Sequence, residues 1–508
     1  MAENQPTRAI REIRELVDAG RPLIYILSPE EGRVVQILSD LAQQLSQPAV
    51  PVFTWSLTEG LRTNNGAKPG VDAAAPRAML DFIAAYEGPA LFHLEDFHEP
   101  MRQSAEVCRR LRDLYTRCLD TGKFIFISSP VVYIPEELYR EIVRIDLPLP
   151  DLAELRAFLE REAQAVGKTG GTMDTDPGTL NQLASALRGL TFNESRHALR
   201  RALAANKRID SSSVRYLLEE KHLLVKKKTG VIEYYPFTIG LDEIGGVPTM
   251  KKWLLERRRL FEMRDEVSAD LVPKGILLMG ISGCGKSLAI KAIASCFQLP
   301  LYRIDMIEVF SGRHGNSEGA FVQACRTMEE LSPAIVWFDE IEMGITAKTD
   351  DAAGTLGRIF AFFLTWMQEK TRGLFVAATA NRIDLLPAEM IRKGRFDEVF
   401  FVDLPGEDDR IEIARIHLQK RGVDPGPLQI DRLRQFTRGW TGAEIEQLVV
   451  SALTQAKLHD RPLTSDDLLN LTANIVPLSK TMKEQVEHIR SWALDRAVRA
   501  APRAGERG

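Results

Sequence analysis

Cysteine is scarce in this 508-residue chain: Cys108, Cys118, Cys284, Cys296 and Cys325 make an odd set with no C-x-x-C pair. That usage offers no thiolate metal pattern and fits reduced thiols in a cytosol. No apolar run reaches the roughly 18 residues of a membrane span. The opening stretch, Met1 to Val17, is too polar and charged for a secretory signal. No H-E-x-x-H occurs, which excludes a zinc-protease site of that type. Neither sign of charge dominates: 66 basic residues stand against 70 acidic, a net charge of −4. A whole-chain polyanion binder is therefore not expected, although a local basic patch would escape this count. These absences predict a soluble cytoplasmic protein with no membrane attachment and no nucleic-acid partner.

What is present is ordinary globular composition, 44% hydrophobic and 27% charged, in a length that predicts about three domains. One stretch organises the rest. Gly280-Ile281-Ser282-Gly283-Cys284-Gly285-Lys286-Ser287 reads G-x-x-x-x-G-K-S. The apolar run 275–279 enters it as a buried strand, and Leu288 to Phe297 leaves it with helical spacing. Strand, glycine loop and helix together make a phosphate loop. Backbone N–H groups turn inward around phosphate oxygens, and the helix points its positive end at them. Lys286 would reach the β- and γ-phosphates and Ser287 would hold Mg²⁺. Cys284 sits at that helix N-terminus, where a thiol pKa can fall; a small residue tolerated at a variable position is the simpler reading.

Downstream, Pro333 to Phe338 is a continuous apolar strand ending in Asp339 and Glu340. Strands buried on both faces read this way, and ligands gather at their carboxyl ends. Asp339 is placed to hold Mg²⁺ and Glu340 to activate a water. Leu374 to Ala380 is a similar strand ending in Asn381, an amide able to bond a γ-phosphate or the lytic water. Arg392 and Arg395 follow a short helical stretch; they are surface charge or the means of neutralising a transferring phosphoryl group.

The first half repeats this order without its chemistry. Strands are expected at Leu23–Leu27, Ala90–Leu94, Phe124–Ile127 and from Arg144 to Asp151. At the turn Ser28-Pro29-Glu30-Glu31-Gly32-Arg33, one glycine and two carboxylates would repel phosphate. Ser28 to Gly280, Asp146 to Asp403 and Arg188 to Arg438 are separated by 252, 257 and 250 residues, which indicates a tandem repeat. Between the copies, Asn206 to Pro236 reads as a helix and an extended linker. Its Lys226-Lys227-Lys228 trio is a solvated face or, less commonly, a nucleic-acid site. Near the end, Met482, Val486, Ile489 and Ala493 form an amphipathic stripe that packs on its own chain or on a partner, and Arg496 to Gly508 reads as a polar, disordered end.

Taken together, the second half from Asp242 onward resembles the AAA family of ATPases. Asp242-Glu243-Ile244-Gly245-Gly246 resembles the family's adenine-contacting lead segment, with Ile244 and Gly245 at the contact. Gly280, Gly283, Cys284, Gly285, Lys286, Ser287 and Leu288 fall on its Walker A, and Ile335 to Glu340 on its Walker B. The resemblance puts Asn381 on sensor 1, and Arg392 and Arg395 on arginine-finger positions that reach a neighbouring subunit's ATP. His417 matches the lid histidine near ribose and adenine, and Gly442-Ala443 the small pair replacing a sensor 2 arginine. The segments Thr365–Lys370, Thr229–Pro236 and Val476–Gln485 further resemble the subgroup named for a hypothetical chloroplast reading frame. That subgroup occurs in plastids, cyanobacteria and other bacteria, and carries a degenerate N-terminal AAA-like half.

The resemblance implies an α/β P-loop NTPase fold with a parallel sheet and a C-terminal helical lid, preceded by a degenerate AAA-like α/β domain. The expected boundaries are 1–205 for the degenerate domain, 206–238 for the linker, 239–408 for the ATPase core, 409–475 for the lid and 476–508 for the end. The implied activity is Mg²⁺-dependent ATP hydrolysis in a homo-oligomer, a hexameric ring, that remodels a protein or acts as a switch. One departure stands out: Gly312-Arg313-His314 precede Gly315-Asn316-Ser317-Glu318 where threading members carry an aromatic residue. A nucleotide-gated interaction scaffold with incidental turnover is the alternative.

Overall fold

The computed structural model describes residues 7–46, 48–63, 74–168, 170–236, 239–311, 316–342, 352–382, 385–392, 394–494 and 496–502. The chain forms two compact units, residues 1–221 and 222–508.

In the first unit, β1 (Leu23–Leu27), β2 (Val52–Ser56), β3 (Gly60–Thr63), β4 (Ala90–Glu95), β5 (Lys123–Ser129) and β6 (Ile142–Asp146) form one sheet in the order β3-β2-β4-β5-β1-β6. All neighbours are parallel except the β2–β3 hairpin. Its strands are apolar on successive residues because both faces are covered. Leu23 and Tyr25 enter one core, and Ile24 and Ile26 the other. The fourth expected strand ends at Asp146 rather than Asp151; Pro148 and Pro150 have no N–H for a ladder. β7 (Thr172–Met173) and β8 (Arg208–Ile209) pair separately among the helices that follow.

The segment from 206 to 236 yields the helix Val214–Thr229 and then β9 (Ile232–Tyr235). The stretch read as an extended linker is thus a strand of the second sheet, antiparallel to β11 (Leu301–Ile304), with Tyr234 opposite Tyr302. Lys226 and Lys227 are exposed, and Lys226 lies 3.7 Å from Glu233, a solvated charged face.

The second sheet adds β10 (Gly275–Gly280), β12 (Ala334–Phe338), β13 (Leu374–Ala380), β14 (Glu398–Val402) and β15 (Val498–Arg499), in the order β15-β14-β10-β13-β12-β11-β9. Its central run β14-β10-β13-β12-β11 repeats the run β6-β1-β5-β4-β2 of the first unit strand for strand. Both faces are buried: Leu277 and Met279 enter one core, Ile276 and Leu278 the other. β10 lies between β13 and β14, so the connections diverge at its carboxyl end and open a crevice there.

A helical lid follows. Its helices Glu407–Lys420, Leu433–Phe436, Gly442–Leu458 and Ser465–Leu471 close around Trp440. Thr441 and Thr464 cap the last two through capping boxes with Glu444 and Asp467. Val486, Ile489 and Ala493 of helix Lys483–Ala493 are buried, so that part of the stripe packs on its own chain, while Met482 is exposed. The end is not wholly disordered, a correction to the sequence expectation. β15 extends the sheet edge beside β14, Ala500 is buried, and its N–H donates to Phe401 O. A two-residue strand held by edge pairing leaves no period for a sequence to show. Residues 503–508 lie outside the described set.

Candidate functional site

At the carboxyl end of β10 the chain turns through Gly280, whose φ of +144° and close approach to Val402 O admit no side chain: a Cβ would stand 2.1 Å from that carbonyl. Gly283, at φ +78°, brings the loop against the lid, where Ala443 N donates to Gly283 O at 3.0 Å. The loop then enters the helix Lys286–Phe297, leaving free N–H groups at its start. Lys286 is buried, and its Nζ donates to Gly280 O and Ile281 O, both at 2.9 Å. Burial lowers its pKa to about 8.

A cavity of about 340 Å³ lies between this loop and the lid, a size suited to a small ligand. The loop positions Gly283, Cys284, Gly285, Lys286, Ser287 and Leu288 line it. So do Ile244 and Gly245 from the lead segment and His417, Gly442 and Ala443 from the lid. Gly246 N donates to Glu412 of the lid at 2.9 Å, tying the lead segment to the same wall. Ile413 and Ile416, which the sequence did not single out, supply an apolar side. Gly280 does not line the cavity; it acts by holding the Lys286 amine. Burial lowers the pKa of His417, and its Nδ1 lies 3.5 Å from Glu446.

The acidic side of the cavity is built from β12 and β13. Ser287 Oγ donates to Asp339 Oδ1 at 3.4 Å. Thr379 Oγ1 donates to Asp339 Oδ1 at 2.7 Å and accepts from Glu340 N at 2.8 Å. Glu340 stands at φ +46°, which turns it off the strand line. Its Oε1 accepts from Asn381 Nδ2 at 2.7 Å. Arg303 approaches Asp339 at 3.8 Å. Thr379, the penultimate residue of β13, was not singled out from the sequence, because only its partners beyond the end of β12 mark its role.

Ser287 and Asp339 present a hydroxyl and a carboxylate, oxygen donors of the kind a hard cation takes. Among the described residues no cluster of three or more histidine, cysteine or acidic side chains forms a metal cage. Two protein oxygens with room for phosphate and water are what Mg²⁺ accepts.

Arg392 and Arg395 do not reach this cavity. Arg392 is exposed and 3.8 Å from Glu389, while Arg395 is half-buried with a guanidinium nitrogen donating to Glu389 O. Cys284 is not activated. Burial pushes its thiol up to about 12, which outweighs the helix N-terminus and the nearby Lys286. Positions 312–315, which carry the departure from an aromatic loop, lie outside the described residues. Phe310, just upstream, packs against the hydrophobic core.

The equivalent place in the first unit is filled by the chain itself. Glu30 Oε1 accepts from Asn193 N at 3.3 Å, the counterpart of the Ala443–Gly283 contact. Arg33 is buried, donates to Pro148 O at 2.6 Å and to Glu154 Oε1 at 3.2 Å, and lies 3.8 Å from Glu30. Burial raises the Glu30 pKa against the opposing pull of Asn193 N–H and Arg33. Asp96, at φ +52°, repeats the backbone turn of Glu340 with no phosphate loop beside it.

These features agree with comparisons to known proteins. The sequence model described as ATPase family associated with various cellular activities (AAA) matches residues 276–404. Those of the SpoVK-like AAA ATPase N-terminal and second domains match 9–147 and 153–228. The AAA domain-containing protein ycf46 of Pyropia yezoensis is 36% identical over 498 residues, covering 97% of this chain and 99% of that protein. The ribosome biogenesis ATPase RIX7 of Saccharomyces cerevisiae is 31% identical over 252 residues, 46% of this chain and 30% of that one. The crystal structure of the FIGL-1 AAA domain aligns at a TM-score of 0.46 and 20% identity, over 54% of this chain and 95% of that one. Among the described residues, no helix is long and apolar enough to cross a membrane. With a near full-length relative at this identity and family models over both units, the chain belongs to the AAA family of ATPases.

Proposed function

We propose that this chain hydrolyses ATP in its second unit and uses the cycle to drive conformational change in a protein partner, as a homo-oligomer arranged in a hexameric ring. The observation that carries this reading is the junction of β12 and β13, where Thr379 joins Asp339 to the Glu340 backbone and Asn381 holds the Glu340 carboxylate. Lys286 and the loop N–H groups would receive the phosphates, with Ile244, Gly245 and His417 on the base and ribose side. Ser287 and Asp339 would hold Mg²⁺, which when bound offsets phosphate charge. Glu340 accepts the proton of the attacking water, and Asn381 orients that water beside it.

Arg392 and Arg395, which do not line their own cavity, would complete a neighbour's site. An arginine supplied in this way is worth on the order of 10³–10⁵ in kcat. ATP turnover per protomer should therefore climb steeply as protein concentration rises from nanomolar to micromolar. A flat rate in active protein would remove the shared-site reading. The absence of Phe, Tyr or Trp from 312–315, with Phe310 packed against the core, favours switching or local remodelling over processive threading. A nucleotide-gated scaffold is the second reading on the same observation; negligible turnover with ATP still bound would select it.

A further inference from the structure

Glu342 lies three residues beyond Asp339, in the turn that closes β12. It is buried at 1% exposure and does not line the nucleotide cavity. Its Oε1 accepts two backbone N–H groups, from Asn381 at 2.7 Å and from Arg382 at 3.0 Å. Its Oε2 has no hydrogen-bond partner among the described residues. A carboxylate so placed is costly unless its bonds do something, because burial disfavours the charged form. Burial does raise its pKa, opposed by the N–H groups of Asn381, Glu342 itself and Arg382.

The position of those two N–H groups explains the need. β12 and β13 are parallel, and their pairing ends at Phe338 opposite Ala378. On the other side of β13, pairing with β10 ends at Met279 opposite Ala380. Asn381 and Arg382 therefore leave the sheet just where their backbone donors lose ladder partners. The side chain of Asn381 must nonetheless hold one orientation to meet Glu340 Oε1 at 2.7 Å. A turn with free donors would rotate that amide away.

We propose that Glu342 is a positioning residue: by accepting from the Asn381 and Arg382 N–H groups it fixes the turn after β13, and through Asn381 it sets the orientation of the Glu340 carboxylate. This rests on the ATPase reading for its effect on turnover, but not for its effect on the backbone. One acceptor atom from one strand end holds the neighbouring strand's end in register where no ladder does. Glu342 touches neither nucleotide nor the attacking water, so its removal should alter kcat and leave nucleotide affinity alone.

The test uses the full chain with Glu342→Ala, which removes the acceptor, and Glu342→Gln, whose carbonyl oxygen still accepts both N–H groups. Displacing a catalytic group by about 1 Å costs roughly 10² in rate. Glu342→Ala should therefore lower kcat by about that factor, with KM and fluorescent-ATP affinity within about twofold of the parent. Hydrogen exchange at the Asn381 and Arg382 amides should be about tenfold faster or more, while exchange within β12 and β13 stays put. Glu342→Gln should restore both readouts to within about threefold of the parent. Parent-like exchange at 381 and 382 in Glu342→Ala overturns the inference, as does a Glu342→Gln variant as damaged as the alanine. If the parent protein binds ATP without turning it over, the ATPase reading has failed, and the exchange comparison still decides the role of Glu342.

Discussion

Replacing Thr379 with valine removes one hydroxyl at nearly constant volume from a residue only 1% exposed. Two bonds are lost together: the donation to Asp339 at 2.7 Å and the acceptance from Glu340 N at 2.8 Å. A buried N–H left without an acceptor costs about 1–3 kcal/mol, and a hydrogen bond to a charged group contributes about 1.5–3 kcal/mol. Asp339 keeps Ser287 and Arg303 nearby, so its share should fall at the lower end. Part of the cost appears as lost stability and part as misorientation of Glu340. If about 1–3 kcal/mol reaches the transition state, kcat falls roughly 5- to 150-fold. The assay is phosphate release under saturating ATP and Mg²⁺, beside fluorescent-ATP binding and a melting curve for each variant. Thr379→Ser, which keeps the hydroxyl, should recover most of the rate. A Thr379→Val protein with parental turnover and parental melting would refute the reasoning, because neither bond would then matter.

Other outcomes follow from the same geometry. Lys286→Ala should abolish ATP binding, and Glu340→Gln should bind ATP yet fail to release phosphate; equilibrium binding and single-turnover assays separate the two. Mild peroxide should leave ATP affinity unchanged, since the Cys284 thiol is pushed up to about 12; a peroxide-dependent loss that a Cys284→Ala variant escapes would contradict this. In the first unit, His93 is fully buried, bonded to Ser128 Oγ at 2.8 Å, and burial lowers its pKa to about 3. The unfolded chain takes up that proton near pH 6.5 and the folded chain does not, so stability is full above that pH and declines as pH falls toward 3. Relative to a His93→Gln variant, the parent should lose about 2 kcal/mol between pH 7 and pH 5, read from urea unfolding at each pH.

Much of this was legible from residues whose role is local. The phosphate loop and the apolar strands ending in Asp339 and Asn381 declare themselves within a few positions. The repeat was visible because nearly equal spacings survive when side chains diverge, and the matching strand orders of the two sheets give those spacings a physical basis. What the sequence hid depends on distant partners. Thr379 and Glu342 matter through bonds across 39 to 40 positions, and their residue types at strand ends are commonplace. β9 and β15 are edge strands whose existence rests on β11 and β14. The arginine pair was singled out from its residue type and the family pattern, and that neither side chain lines the local cavity needed coordinates.

The buried pair Glu30 and Arg33, with the half-buried Glu154 beside it, has a thermodynamic consequence. Where a pocket closes over a ligand, closure gains a free energy that grows with the ligand's concentration. In the first unit the equivalent contacts run from Asn193 N–H to Glu30 and from Arg33 to Pro148 O and Glu154, so they form without a ligand between them. On the reading proposed above, the second unit would follow the ratio of ATP to ADP, while the contacts of Glu30 and Arg33 in the first involve no nucleotide. A buried ion pair of this kind sets the local structure by protein chemistry alone, whereas the phosphate loop of the second unit leaves that task to what it binds.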